Sequence, residues 1–395
     1  MSHAATGYRP LLRTPGAAAF FLAASVGRTG IAMTGLGLVW LLHARTGSYG
    51  TAGLAAAGFS LAEALIGPQL ARLVDRFGQT RVLPFSLLAH GAAIVGVLIA
   101  TTPAALITAA TCAGAVVPQL GALSAARWAA LLRDERAAVL PTAFTLEALA
   151  NELAYLAGPV LVSILGASGH PAAGTVMAAT LVVAGGLCFA AQRATAPPAS
   201  GAAVRHRTGR SLLRPGFVVL VGVNLAIGAF FGAMQISVTA FAVTRGAAGM
   251  AAALFTVSSC ASLLAGWLYG LRRWRPAPRT QLAVAAAGLA IGCLPLLAAG
   301  SLVELGFGVA LTGLAVPLIL VPCSVLAAAT VDRAVLTQAF VWLNSASAAG
   351  SAGAAAVAGW AVGASGAHGG FVVAATATGV LALLAGAGLR TPARD

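Results

Sequence analysis

Lysine is absent from this chain of 395 residues: all 23 basic residues are arginine, and only nine acids accompany them. Charged residues make up 8% of the sequence, against about 25% in a soluble domain, so the chain cannot cover a water-facing surface. Without lysine there is no Gly-x-x-x-x-Gly-Lys-Ser/Thr phosphate loop, which excludes an ATP-driven pump in this chain. The five cysteines (Cys112, Cys188, Cys260, Cys293 and Cys323) are isolated in apolar surroundings, with neither disulfide spacing nor CxxC pairing. They read as small core or lipid-facing residues. His3, His43, His90, His170, His206 and His368 are scattered. No metal cluster, cofactor motif or nucleophile-base triad is visible, and the expectation is a protein that is not an enzyme. His90 is the one histidine expected within a span, either as a packed residue or as a proton relay.

What is present is a series of apolar runs, 59% of the residues being hydrophobic. Each is roughly the 20 residues that cross a bilayer as a helix. Six fall in the first half, at about 17 to 42, 50 to 71, 82 to 101, 104 to 126, 138 to 165 and 171 to 192. Six more fall at about 216 to 243, 247 to 270, 281 to 300, 302 to 327, 336 to 362 and 369 to 389. A breaker-rich, basic linker over 193 to 214 separates the halves. The first run has no Ala-x-Ala exit and reads as a retained span rather than a signal peptide.

Arginine placement tests that count. With the N-terminus inside, 20 of the 23 arginines fall in cytoplasmic segments; only Arg45 and Arg245 fall outside, and Arg28 lies within a span. This is the positive-inside pattern of a membrane protein, and it excludes a nucleic-acid surface because the arginines sit at the ends of apolar runs. An internal repeat agrees. Ala52 to Ser60 matches Ala248 to Thr256 at an offset of 196, the same offset relates Ala143-Phe144 to Ala339-Phe340, and Leu11 to Gly16 echoes Leu212 to Gly216. Two parallel six-helix halves, 1–192 and 215–395, follow.

The polar stretch from Leu70 to Arg81 reads as a tight, cation-rich turn between spans 2 and 3. Its Ala71, Asp75, Arg76, Gly78, Gln79 and Arg81 resemble the signature of the major facilitator superfamily, with alanine where a glycine is usual. The resemblance covers nearly the whole chain. It implies an all-α polytopic membrane protein of 12 transmembrane helices in two pseudo-symmetric halves, in which Asp75, Arg76, Gly78 and Arg81 form a conformational latch and Asp75 pairs with neighbouring helix ends. The matching turn of the second half, Leu271 to Pro276, is basic without an acid and reads as a topology anchor. Gly158-Pro159 in span 5 resembles the drug-efflux and metabolite-exporter branches, although Val162 and Ser163 replace paired glycines and span 4 carries Pro118-Gln119-Leu120-Gly121 in place of an arginine.

Charges within the bilayer call for pairing or a wet cavity. Arg28 lies about 17 Å into span 1 and Glu63 about 12 Å from the cytoplasmic end of span 2, with Glu147 and Glu152 about 14 and 21 Å into span 5. One arginine cannot match three acids. Two readings stand: an ion pair of Arg28 with Glu63 or Glu147 that glues helices, or an acid in this cluster that exchanges a proton. Gln119, Asn151, Asn224, Gln235, Gln338, Trp342 and Asn344 are the candidate cavity residues, and Glu304 is a candidate rim group. The expectation is a monomeric, proton-coupled exporter of a small organic compound, lodged among the lipids of the cytoplasmic membrane with both termini inside. A uniporter or importer, and a non-transporting receptor or scaffold of the same fold, are the alternatives.

Overall fold

A computed structural model describes residues 7–167, 170–199, 209–247, 249–272 and 274–390. Arg205, Arg207, Arg273, Arg394, His3, His206 and the repeat residue Ala248 lie outside the described residues. The regular elements among the described residues are all helices. A short α1 (Tyr8–Leu12) precedes α2 (Ala17–Thr46), α3 (Tyr49–Phe77), α4 (Gln79–Ile99), α5 (Pro103–Ala115), α6 (Leu120–Leu131), α7 (Leu140–Ala167) and α8 (Ala173–Ala191). The second half comprises α9 (Pro215–Thr244), α10 (Met250–Leu271), α11 (Pro278–Leu297), α12 (Leu302–Thr330), α13 (Leu336–Ser365) and α14 (Ala367–Arg390).

Counting α5 and α6 as one broken span, eleven of these rods are long and apolar enough to cross a membrane. The twelfth, α13, is 30 residues long but rich in Ala, Gly and Ser, a composition suited to helix packing rather than lipid contact. Phe85, Phe307, Trp360 and Leu383 are 74 to 77% exposed, and in a chain with so few charges such a surface belongs against lipid. The protein is an all-α polytopic membrane protein whose two halves repeat one plan.

The helices run further than the apolar pattern predicts. Arg72, Asp75 and Arg76 do not end α3, which continues to Phe77. The predicted turn over Leu70 to Arg81 is thus one residue, Gly78, and α4 begins at Gln79. Gly78 has φ 94°, a conformation that residues with a Cβ rarely adopt. Long arginine side chains can stay helical while their heads reach the interface. Glu63 therefore lies 14 residues from the end of α3, about 21 Å at helical rise, rather than 12.

Span 4 departs in the opposite sense. It unwinds between α5 and α6 at Val116 to Gln119, beside Pro118. Two side chains of α4 cover the opened carbonyls: Ser86 Oγ donates to Val116 O at 2.7 Å, and His90 Nδ1 lies 3.0 Å from Ala113 O. His90 is fully buried there. His43, expected just beyond span 1, lies within α2 and stacks on Tyr49.

Several arginines have local duties. Arg45 caps the end of α4 by donating to Val97 O at 3.1 Å, and Arg245 lies over Phe241 and within Coulombic reach of Glu304. These are the two exceptions to the arginine bias. Glu304 belongs to a helix cap, its N–H donating to Ser301 Oγ and its carboxylate accepting from Gly300 N–H. Arg127, expected in a loop, is instead wholly buried in α6. It donates to Gln79 Oε1, Thr195 Oγ1 and the carbonyls of Phe189 and Gln192, and stacks on Phe189 at 3.7 Å. It ties together the ends of α4, α6 and α8.

Candidate functional site

The halves are joined at their arginine-rich end. Phe144 and Phe340, equivalent residues of the repeat, meet edge to face across the seam at 5.6 Å. Thr142 Oγ1 donates to Gly270 O at 3.2 Å. Tyr8 on α1 reaches the opposite half, donating to Trp267 O at 3.0 Å; burial pushes its phenol up to about 12, so it remains a donor at neutral pH.

Asp75 completes this closure. Its Oδ2 accepts from Gln338 N–H at 2.9 Å, and Thr337 is a second hydrogen-bonding partner. Both belong to the first turn of α13, where unsatisfied N–H groups and the helix dipole favour an anion. Arg76 is exposed and lies over its neighbour Phe77 at 4.8 Å, and Arg81 is exposed as well. Of the four residues read as a latch, Asp75 carries the contact across the seam and Gly78 forms the turn behind it. Such a contact is worth about 1 to 2 kcal/mol when partly buried. Asp75→Asn is expected to shift the halves toward opening at this end by roughly tenfold, read as a longer distance between spin labels on the ends of α3 and α13. An unchanged distance distribution would remove Asp75 from the latch.

The embedded charges separate into two sites. Arg28 Nη1 pairs with Glu147 Oε2 at 2.7 Å, both groups buried. Glu147 Oε1 also accepts from Ser124 Oγ at 2.6 Å and Trp128 Nε1 at 2.8 Å. Arg28 Nε and Nη2 have no acceptor among the described residues, so its charge depends on Glu147. This cluster packs α2, α6 and α7 within one half and is closed.

Glu63 and Glu152 differ. Glu63 Oε1 accepts from Gln119 Nε2 at 2.9 Å, and Tyr155 lies within Coulombic reach of it. Glu152 Oε1 accepts from Ser262 Oγ of α10, in the other half, at 3.2 Å. Neither acid makes an ion pair among the described residues. Glu63, Gln119, Glu152, Tyr155 and Ser262 stand near the midpoints of their spans and so form a layer at mid-membrane depth. Asn151, Tyr155, Gln235, Trp342 and Asn344 are exposed. Two expected cavity residues are not: Asn224 is buried against Leu220 O and Cys323 Sγ, and Gln338 is buried in the first turn of α13. The Asn224 amide serves helix packing, and it is the backbone N–H of Gln338 that meets Asp75. Tyr155 and Ser262 were not singled out from the sequence, because one hydroxyl on an apolar helix has no periodic signature.

Two six-helix bundles, with unmatched acids at mid-depth beside a broken span, define a secondary transporter that moves a small solute by alternating access. The sequence pattern of the Major Facilitator Superfamily matches residues 20–299, and the chain belongs to that superfamily. No curated protein sequence matches it. Among solved structures, the human organic anion transporter MFSD10 (TETRAN) is similar with a TM-score of 0.72 and 16% identity, covering 93% of this chain and 98% of that one. A bacterial homologue of the iron transporter ferroportin, in its outward-facing state, gives 0.71 at 13% identity, covering 95% and 99%. The proton:xylose symporter XylE gives 0.69 at 16% identity, covering 93% and 94%. At these identities the likeness establishes the fold.

Proposed function

We propose that the protein is a proton-coupled exporter of a small organic compound in the cytoplasmic membrane, with both termini and the arginine-rich end in the cytoplasm. The observation that carries this reading is the pair of mid-depth acids, Glu63 and Glu152, held by neutral partners while Glu147 occupies the embedded arginine. A carboxylate in a low-dielectric setting without a cation calls for a proton or a cationic ligand to neutralise it. Exchange of the two as the halves rock is antiport.

Glu152 links this chemistry to motion because its bond to Ser262 spans the seam. Rocking must break it together with the contacts at Asp75 and Tyr8. The contacts at Asp75 and Tyr8 hold the arginine-rich end closed, which on this topology is the cytoplasmic end. The weakly charged wall of the second half suits a lipophilic or amphipathic compound better than a multiply charged one.

The test is proton flux in proteoliposomes against lipophilic cations, neutral drugs and sugars. Antiport predicts substrate-dependent proton movement opposite to the substrate. Movement in the same direction would establish uptake by symport, and no proton movement with any of them would favour a uniporter or a scaffold.

A further inference from the structure

We propose that a recess on the flank of the second half binds an anionic phospholipid, one acyl chain entering the recess and the phosphate resting on Arg272 and Arg275. The recess has a volume of ≈ 160 Å³ and is lined by Tyr269, Trp274, Pro276, Gln281, Val284 and Leu318 among others. It is therefore bounded by α10, α11, α12 and the segment between α10 and α11. A space of roughly 150 Å³ with apolar walls takes up a benzene-sized apolar group rather than water.

Of the polar wall residues, Tyr269, Trp274 and Gln281 are engaged with one another or with backbone carbonyls, and Thr280 is the fourth. Tyr269 hydroxyl donates to Gln281 Oε1, and Gln281 Nε2 donates to Pro276 O. Thr280 apart, what faces the space is hydrocarbon and the stacked rings of Tyr269 and Trp274, 5.1 Å apart. Val284 is 68% exposed, so the recess opens on the surface, and neither Glu63 nor Glu152 lines it.

Charge surrounds its mouth. Arg275 lies in sequence between two wall residues, Trp274 and Pro276, and is exposed; Arg272 is exposed and lies over the Trp274 ring at 5.4 Å. No acid stands in residues 272–280. An apolar slot with cations at its rim, at the level where a span meets the interface, complements a chain attached to a negative headgroup. A topology anchor would need the arginines alone, and an aromatic belt would need Tyr269 and Trp274 without a void between helices.

The test is quenching of Trp274 fluorescence by bromine-labelled acyl chains in phosphatidylcholine vesicles, isolated as the difference between wild type and Trp274→Phe. Brominated phosphatidylglycerol is expected to half-quench at a mole fraction at least threefold below that of brominated phosphatidylcholine. Arg272→Gln/Arg275→Gln should erase that preference, and the Lys pair should keep it. Val284→Phe, which fills the recess, should weaken quenching by both lipids. Equal quenching by the two lipids in the wild type would reduce the site to an aromatic belt and overturn the proposal. A preference that survives the Gln pair, or quenching unchanged by Val284→Phe, would do the same.

Discussion

Proteoliposomes carrying Glu63→Gln are expected to lose pH-gradient-driven transport by at least about a hundredfold while keeping the fold, since an amide replaces a carboxyl of equal size and can still bond Gln119. Substrate exchange at equal pH on both sides should persist, because that cycle needs no net proton transfer. Glu152→Gln is expected to lose gradient dependence too. It also weakens a contact across the seam between the halves, so its exchange rate should change as well. Glu147→Gln should behave differently: it strands the buried Arg28 charge, a loss of about 3 to 5 kcal/mol, and is read first as a fall in melting temperature. Gradient dependence retained in both the Glu63 and the Glu152 variant would remove these acids from the coupling path.

The second large effect concerns packing between α9 and α13. Gly228 and Gly232 are one turn apart on α9, and a methyl group added at either would fall on a backbone carbonyl of α13, that of Ser347 or Ser351. Gly350 faces α9 in the same way, against Leu225. Backbone cannot yield as a side-chain tip can, so the rods must separate. Gly228→Ala or Gly232→Ala is expected to cost at least the 1 to 3 kcal/mol typical of overpacking, and the double variant should not yield folded transporter. Gly353→Ala, on α13 but with open space around it, is the control. Equal melting temperatures for Gly228→Ala and Gly353→Ala would refute the close approach.

The apolar runs were sufficient to find the eleven membrane-length apolar helices among the described residues and the long α13 beside them, because a bilayer imposes length. Helix ends were less legible. A charged residue looks like a loop in a hydropathy reading, yet Arg72, Asp75 and Arg76 are helical and only the glycine after them turns the chain. Arg127 misled in the same way: an arginine at the end of an apolar run signals an anchor, whereas four acceptors and an aromatic face make burial favourable. The sorting of the acids was beyond the sequence because it depends on which helix faces which. Glu147 and Glu152 differ by five positions on one helix, and that rotation sends one into its own bundle and the other to the seam.

The break in span 4 also bears on how the protein is made. Its arms, α5 and α6, have 13 and 12 residues, about 20 and 18 Å of helix, so neither reaches across a bilayer by itself. The opened backbone at Val116 is costly in hydrocarbon until Ser86 and His90 of the preceding span cover it. Insertion of α4 and the broken span as a pair is the expected consequence, and Gln119, at the end of the break, then needs α3 as well to meet Glu63.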